Sequence, residues 1–299
     1  MRKNAFKLTV YVLALSAFGG FFRWLQDQTS FEADTGLLIP GPLNYIVPLV
    51  FIVCAAVFYL LVKKLGKTGL DFPGDVYSIF NGKMIAYPIV YWAAAIVTVL
   101  GGFLTLRQSA YTAAPVLVLL LGLSAAVTGI GFAMLCSTAR RNYSPGLAST
   151  LMTLPIVTYC LWLITSYKLN ASTPSVWAYA VEIIAVCVAL IAFYYNAGFA
   201  FCKPQPQRSL FFSMTAAFMC LTALADSRPA GLQLILIGTV IMLLCEAWML
   251  IVNMHEPVPE SNADPEPEAE PELVIEPGSE APEEEPTKEA PEWHSGLNE

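Results

Sequence analysis

Two carboxylates stand inside segments that are otherwise almost entirely apolar. Glu182 lies within AVEIIAVCVAL, and Glu246 lies within IMLLCEAWMLIV. An ionisable side chain is costly in hydrocarbon, so such residues are candidates for a functional site. Desolvation favours the neutral acid, and either group could therefore exchange a proton, as proton-coupled carriers require. The alternative is a structural role in which the carboxylate reaches interfacial water, particularly for Glu246 near the end of its segment.

Helical periodicity predicts which way these carboxylates face. At 100° per residue, Glu182 shares one face with Ala185, Ala189, Ala192 and Asn196. That stripe is small or polar throughout, so we expect it to face a helical bundle rather than lipid. Glu246 aligns in the same way with Thr239 and Asn253, each seven residues away.

A second set of polar residues lies at the ends of the apolar segments. This position predicts either an anion-attracting vestibule beside Glu182 or a ring of residues that hydrogen-bond to lipid headgroups. The members of this set are Arg23, Gln26, Arg107, Gln108, Asp226 and Arg228. The segments FGGFFRWLQ and LGGFLTLRQ, which begin at Phe18 and Leu100, resemble each other and place Arg and Gln at similar depth. A tandem duplication of hairpins or chance would explain that likeness.

The sequence offers no recognisable catalytic constellation. Both histidines, His255 and His294, follow the last apolar segment, and the seven cysteines form no Cys-x-x-Cys pair. We therefore expect no catalytic residue, no metal, no cofactor and no enzymatic activity. The sequence also predicts no nucleic-acid partner.

Composition places these residues in a membrane protein. The chain has 299 residues, of which 56% are hydrophobic and 13% charged, whereas globular domains carry about a quarter charged residues. Because a transmembrane helix needs roughly 17 to 25 mostly apolar residues, we predict an all-α polytopic bundle of about eight spans in a transmembrane domain over 1–252. The predicted spans are 6–22, 43–62, 84–104, 114–136, 147–167, 175–199, 210–225 and 231–252.

The distribution of basic residues predicts the orientation. Eight spans put eleven Lys and Arg residues on one side of the membrane and four on the other. The positive-inside rule therefore predicts a protein of the cell membrane with both termini on the cytoplasmic side. The first span also resembles a signal peptide with an Ala14-Leu15-Ser16 cleavage site. Its apolar run continues past that site, which favours retention.

A change in composition at Asn253 predicts a disordered, cytoplasmic, Pro/Glu-rich tail over 253–299. This segment holds 15 of the 23 acidic residues and a single cation, Lys288, and so has a net charge of −14. It contains too little apolar surface to offset chain entropy. Such a tail could bind a protein partner, or it could fold back onto the basic side of the protein, from which salt would release it.

The segment FRWLQDQTSFEADTGLLIPGP between the first two spans, followed by KKLGK, resembles uncharacterised multi-spanning membrane proteins of Clostridia-type bacteria. The resemblance covers mainly residues 1–70. It implies a bacterial cytoplasmic membrane and supplies no activity and no functional residues.

These observations leave two functional hypotheses. The protein is either an accessory or scaffold subunit of a membrane complex that uses its acidic tail, or a solute or ion transporter that uses Glu182 as an intramembrane carboxylate. The lipid bilayer is an expected partner in both.

Overall fold

The protein is a bundle of eight long α-helices, seen in a computed structural model that describes residues 2–32, 37–67, 70–74, 76–80, 87–140, 145–171 and 176–255. One short helix, α3, lies between the second and third long helices. The helices are α1 (Arg2–Thr29), α2 (Leu43–Gly66), α3 (Val76–Phe80), α4 (Tyr87–Gln108), α5 (Pro115–Arg140), α6 (Pro145–Asn170), α7 (Trp177–Ala200), α8 (Pro206–Ala223) and α9 (Ala230–Val252). The predicted acidic tail falls outside the described residues, apart from the segment up to His255.

The prediction of an all-α polytopic bundle is confirmed. Seven of the long helices are long and apolar enough to cross a membrane. Large apolar side chains stay exposed along them, such as Ile52 at 67%, Ile89 at 71% and Val116 at 68%, as expected for surfaces that face lipid tails. The eighth long helix, α8, is the shortest at 18 residues, and it is not apolar enough along its length to be counted with these seven.

Helix α8 lies in the centre of the bundle, where it contacts α1, α2, α7 and α9. Twelve of its 18 residues are buried. Many are Ala, Ser or Thr, which allow neighbouring helices to approach closely. Burial among other helices, rather than contact with lipid, is therefore what accommodates its low apolar content.

Glycine contacts fix the position of α4 between α5 and α9. A Cβ at Gly102 would lie 2.7 Å from the backbone nitrogen of Ala126, and one at Gly101 would lie 2.9 Å from the carbonyl oxygen of Gly231. Gly129 of α5 takes part in the same packing, because a Cβ at this position would meet Val99 and Ala95 of α4. These positions need glycine because the neighbouring backbone fills the space of a side chain.

The structure shifts several predicted boundaries, and the largest shift is in α1. Its first predicted span ended at residue 22, but the helix continues to Thr29. The first two turns of the predicted 23–42 connection are thus helical, and Arg23 and Gln26 face the bundle instead of a loop. Hydropathy could not show this because both residues are polar.

The two ends of the bundle are named here after a residue that each contains. The Asp226 end holds the end of α1, the starts of α2 and α7, and the turn between α8 and α9. The Asn253 end holds the start of α1 and the ends of α2 and α9. Two contacts hold further helix ends together there. Gly66 lies against the side chain of Gln207, and the Ser149 hydroxyl donates to the carbonyl oxygen of Ala200 at 3.0 Å.

Candidate functional site: two buried polar clusters

Four charged side chains meet at the Asp226 end, drawn from three parts of the chain. Arg23 comes from α1, Glu182 from the first turns of α7, and Asp226 and Arg228 from the turn between α8 and α9. All are buried or nearly so: Arg23 is 0%, Glu182 3% and Asp226 5% exposed. We call these four residues the charge cluster.

Arg23 is the most completely enclosed member of the charge cluster, and each of its nitrogens has a partner. Nε donates to Asp226 Oδ1 at 2.6 Å, and Nη1 donates to Gln26 Oε1 at 2.7 Å. Nη2 faces the carbonyl oxygens of Trp177 and Ala178, both at 3.4 Å, at the start of α7. A guanidinium can be buried only when its donors are satisfied in this way.

Arg228 joins the two carboxylates. Its Nη2 donates to Asp226 Oδ2 at 2.7 Å, and its Nη1 donates to Glu182 Oε2. The other oxygen of Glu182 accepts from Trp162 Nε1 of α6 at 2.6 Å. Burial lowers the pKa of Arg228 to about 10, which leaves it protonated at neutral pH. Burial raises the pKa of Asp226, and the charge of Arg23 opposes that rise.

Neutral side chains extend the charge cluster to α2. Gln26 Nε2 donates to Asn44 Oδ1 at 3.2 Å, and Asn44 Nδ2 donates to the carbonyl oxygen of Ile39 at 2.8 Å. The network therefore ties together α1, α2, α6, α7 and the turn between α8 and α9. With two arginines and two carboxylates it has no net charge, so it does not by itself attract anions.

A cavity of about 220 Å³ adjoins the charge cluster. Glu182 and Arg228 line it, together with polar side chains that include Gln108, Thr165 and Asn170. Among the described residues, no group accepts a hydrogen bond from the buried Nε of Arg228. The cavity could therefore hold water or a small polar solute that accepts a hydrogen bond.

The structure separates the polar residues that the sequence had grouped at one rim. Arg23, Gln26 and Asp226 come together, and Gln108 lines the cavity. Arg107 instead is exposed, and it contacts none of the described residues of the network. In the two similar segments the position equivalent to Arg23 is Thr105, which is buried but hydrogen-bonds within its own helix.

Glu246 belongs to a second cluster, among α7, α8 and α9. Asn196 Nδ2 donates to Glu246 Oε2, and the Asn196 carbonyl accepts from the Ser209 hydroxyl. Ser213 Oγ lies 3.3 Å from the same Asn196 nitrogen. Glu246 is 5% exposed and, among the described residues, forms no ion pair. We call these four residues the Glu246 cluster.

The two clusters lie on the same face of α7 but far apart. All five residues of the predicted stripe from Glu182 to Asn196 are buried. Glu182 and Asn196 are 14 positions apart, or about 21 Å along the helix, so the two carboxylates do not share one ligand. Within the described ranges, no group of three or more His, Cys, Asp or Glu side chains could hold a metal ion.

Sequence reasoning missed several residues that hydrogen-bond within or beside the two clusters. Trp162, Asn44, Ser209 and Ser213 were not singled out, since each is a common residue in a membrane helix. A hydrogen bond of 2.5 Å between the Tyr159 hydroxyl and Thr239 Oγ1 was missed for the same reason. Only the tertiary structure brings their partners close.

Comparison of the chain with protein-family models, with curated proteins and with solved structures finds no match. The class of protein follows from the fold alone: seven apolar helices of membrane-spanning length define a multi-spanning integral membrane protein. The resemblance to Clostridia-type membrane proteins stays a prediction.

Proposed function

We propose that this protein is an accessory or scaffold subunit of a membrane complex, and that its acidic tail binds a partner at the Asn253 end. A single observation carries the proposal: the chain is fixed to the bundle at the point where the acidic segment begins. A scaffold needs such a defined starting point, because a binding segment is then held close to the membrane domain.

Three contacts make this attachment. Asp71 and His255 exchange two backbone hydrogen bonds, of 2.9 and 3.1 Å. Asn253 Nδ2 donates to the carbonyl oxygen of Ile79 in α3, and Met254 is 7% exposed. The connection after α2 therefore holds the residues that follow α9.

The Asp226 end supports the same proposal. Its charges are paired with each other, and the network joins four helices and one turn. Buried ion pairs of this kind favour one arrangement of the helices over others. Such a bundle is suited to act as a rigid platform.

Charge favours a basic partner for the tail. The segment 253–299 has a net charge of −14. Among its described residues, the membrane domain exposes eight cations around the Asn253 end: Arg2, Lys3, Lys7, Lys63, Lys64, Lys67, Lys203 and Arg208. A partner must compete with these cations, so the strength of its binding should depend on salt. We place this end on the cytoplasmic side of a bacterial membrane, following the positive-inside rule and the sequence resemblance.

The test is purification in mild detergent from the native membrane, followed by mass spectrometry of the intact complex. Three proteins are compared: the full chain, a chain that ends at Pro257, and a full-length chain in which the tail glutamates are replaced by Gln. We expect a stoichiometric partner with the first protein alone. The Gln-tail variant is the matched control for length and separates charge from steric effects.

A partner that remains on the chain ending at Pro257 would refute binding through the tail. A lone protein or a homo-oligomer in all three samples would refute the accessory role itself. Release of the partner from the full chain by moderate salt, without unfolding of the bundle, would agree with the charge argument.

The cavity beside Glu182 favours a second candidate function, that of a solute or ion transporter. Measurement of flux in liposomes tests this function. Glu182→Gln alone gives an ambiguous result, because it also removes the negative charge that pairs with the buried Arg228. Gln108→Ala and Asn170→Ala change the lining and leave the charge cluster intact. If the protein is a transporter, these variants should lose flux while their thermal stability stays unchanged. The control is Tyr167→Phe, which changes an exposed side chain.

A further inference from the structure

Among the described residues, no cation balances the buried carboxyl group of Glu246. Its hydrogen-bond donor is the neutral amide of Asn196, which is itself held by Ser209. This differs from Glu182, whose oxygens face a guanidinium and an indole N–H. The two intramembrane carboxylates thus lie in electrostatically different surroundings.

In the part of the chain that the structure describes, the elements around Glu246 bring no positive charge to it. Tyr91 of α4 and Cys245, its neighbour in α9, interact with it electrostatically, and Cys136 of α5 lies near Cys245 and Tyr91. The residues of the Glu246 cluster from α7 and α8 are neutral amide and hydroxyl groups. The buried side chains of α1 and α3 at this end, such as Leu8, Val76 and Ile79, are apolar.

A carboxylate in such surroundings must be neutralised. Removing an ionised carboxylate from water costs far more than one hydrogen bond from an amide returns. The neutral acid avoids that cost and can still accept the hydrogen bond of Asn196 through its carbonyl oxygen. A bound proton is therefore the simplest occupant of this site.

We propose that Glu246, with Asn196, Ser209 and Ser213, forms an intramembrane proton-binding site between α7, α8 and α9. Water at the Asn253 end supplies the proton, which adds to one carboxylate oxygen to give the acid. Val252, the last residue of α9, lies six residues beyond Glu246, or about 9 Å along the helix. This site goes beyond the scaffold role and does not depend on the tail.

Infrared spectroscopy of the purified full-length protein at neutral pH tests the proposal. A protonated carboxyl group has a C=O stretching band that is distinct from the bands of a carboxylate, and this band shifts when ¹³C-glutamate is incorporated. We expect such a band in the wild type and its loss in Glu246→Gln. The carboxylates of the acidic tail do not contribute, because acids in water are ionised at neutral pH.

The control variant is Glu32→Gln, whose side chain is exposed and which should leave the band unchanged. Glutamine has the shape and neutrality of a protonated glutamate, so Glu246→Gln should fold and match the thermal stability of the wild type. If this variant fails to fold, the charge of Glu246 is required and the proposal is wrong. The ¹³C-glutamate spectrum of the wild type tests the same point without any substitution.

Three other results would also overturn the proposal. The first is the absence of a protonated carboxyl band in the wild type, and the second is the persistence of this band in Glu246→Gln. The third is stabilisation of the wild type by sodium, measured as a rise in unfolding temperature, that disappears in Glu246→Gln. That outcome would identify a metal cation, and not a proton, as the occupant.

Discussion

Asp226→Asn should destabilise the bundle, because Asp226 is the acceptor that two buried guanidinium groups share. Its Oδ1 lies 2.6 Å from Arg23 Nε, and its Oδ2 lies 2.7 Å from Arg228 Nη2. Asparagine has the same size but offers one acceptor oxygen. Its amide nitrogen would face a second donor, and the four-residue charge cluster would gain a net positive charge.

The expected magnitude follows from these contacts. Each hydrogen bond between charged partners contributes about 1.5–3 kcal/mol, and removing one partner of a buried ion pair costs about 3–5 kcal/mol. We expect Asp226→Asn to lower the free energy of unfolding by about 3–5 kcal/mol. The matched control is Asp71→Asn, since the Asp71 side chain is exposed and only its backbone pairs with His255. This control should stay within about 0.5 kcal/mol of the wild type.

Native cysteines supply the assay. Cys54, Cys136, Cys220 and Cys245 are buried, whereas Cys160 and Cys202 are exposed. Reaction of the buried thiols with a fluorogenic maleimide during titration with a denaturing detergent reports unfolding, and the exposed thiols set the baseline. A loss below about 1 kcal/mol for Asp226→Asn would refute the argument that this carboxylate holds the two arginines in place.

The remaining predictions concern helix packing, a buried hydroxyl pair and orientation. Gly102→Ala should destabilise the bundle by about 1–3 kcal/mol because its methyl group meets the backbone of α5, whereas Gly20→Ala, with open space around it, should be neutral or stabilising. The same thiol assay measures both variants, and equal effects would contradict the packing argument. Tyr159→Phe should cost about 1–2 kcal/mol because it removes the donor to Thr239, whereas the exposed Tyr167→Phe should cost nothing measurable. An impermeant maleimide should label Cys202 in inverted membrane vesicles but not in intact cells, and labelling in intact cells would reverse the proposed orientation.

The sequence by itself determined the class of protein and the number of long helices. In a bilayer each backbone polar group must be paired within its own helix, so length and apolar content identify a span without knowledge of its neighbours. Periodicity was equally local, and for this reason the buried stripe from Glu182 to Asn196 could be predicted from spacing alone.

The tertiary structure decided everything that depends on a partner distant in the chain. Arg23 and Asp226 are 203 positions apart, and nothing local marks Arg23 as buried while Arg107, in a similar segment, is exposed. The central place of α8 is also non-local, because its small and polar residues are stable only when other helices cover them. The difference between Glu182, which pairs with Arg228, and Glu246, which pairs with the neutral Asn196, arises in the same way, from which side chains the packed helices bring together.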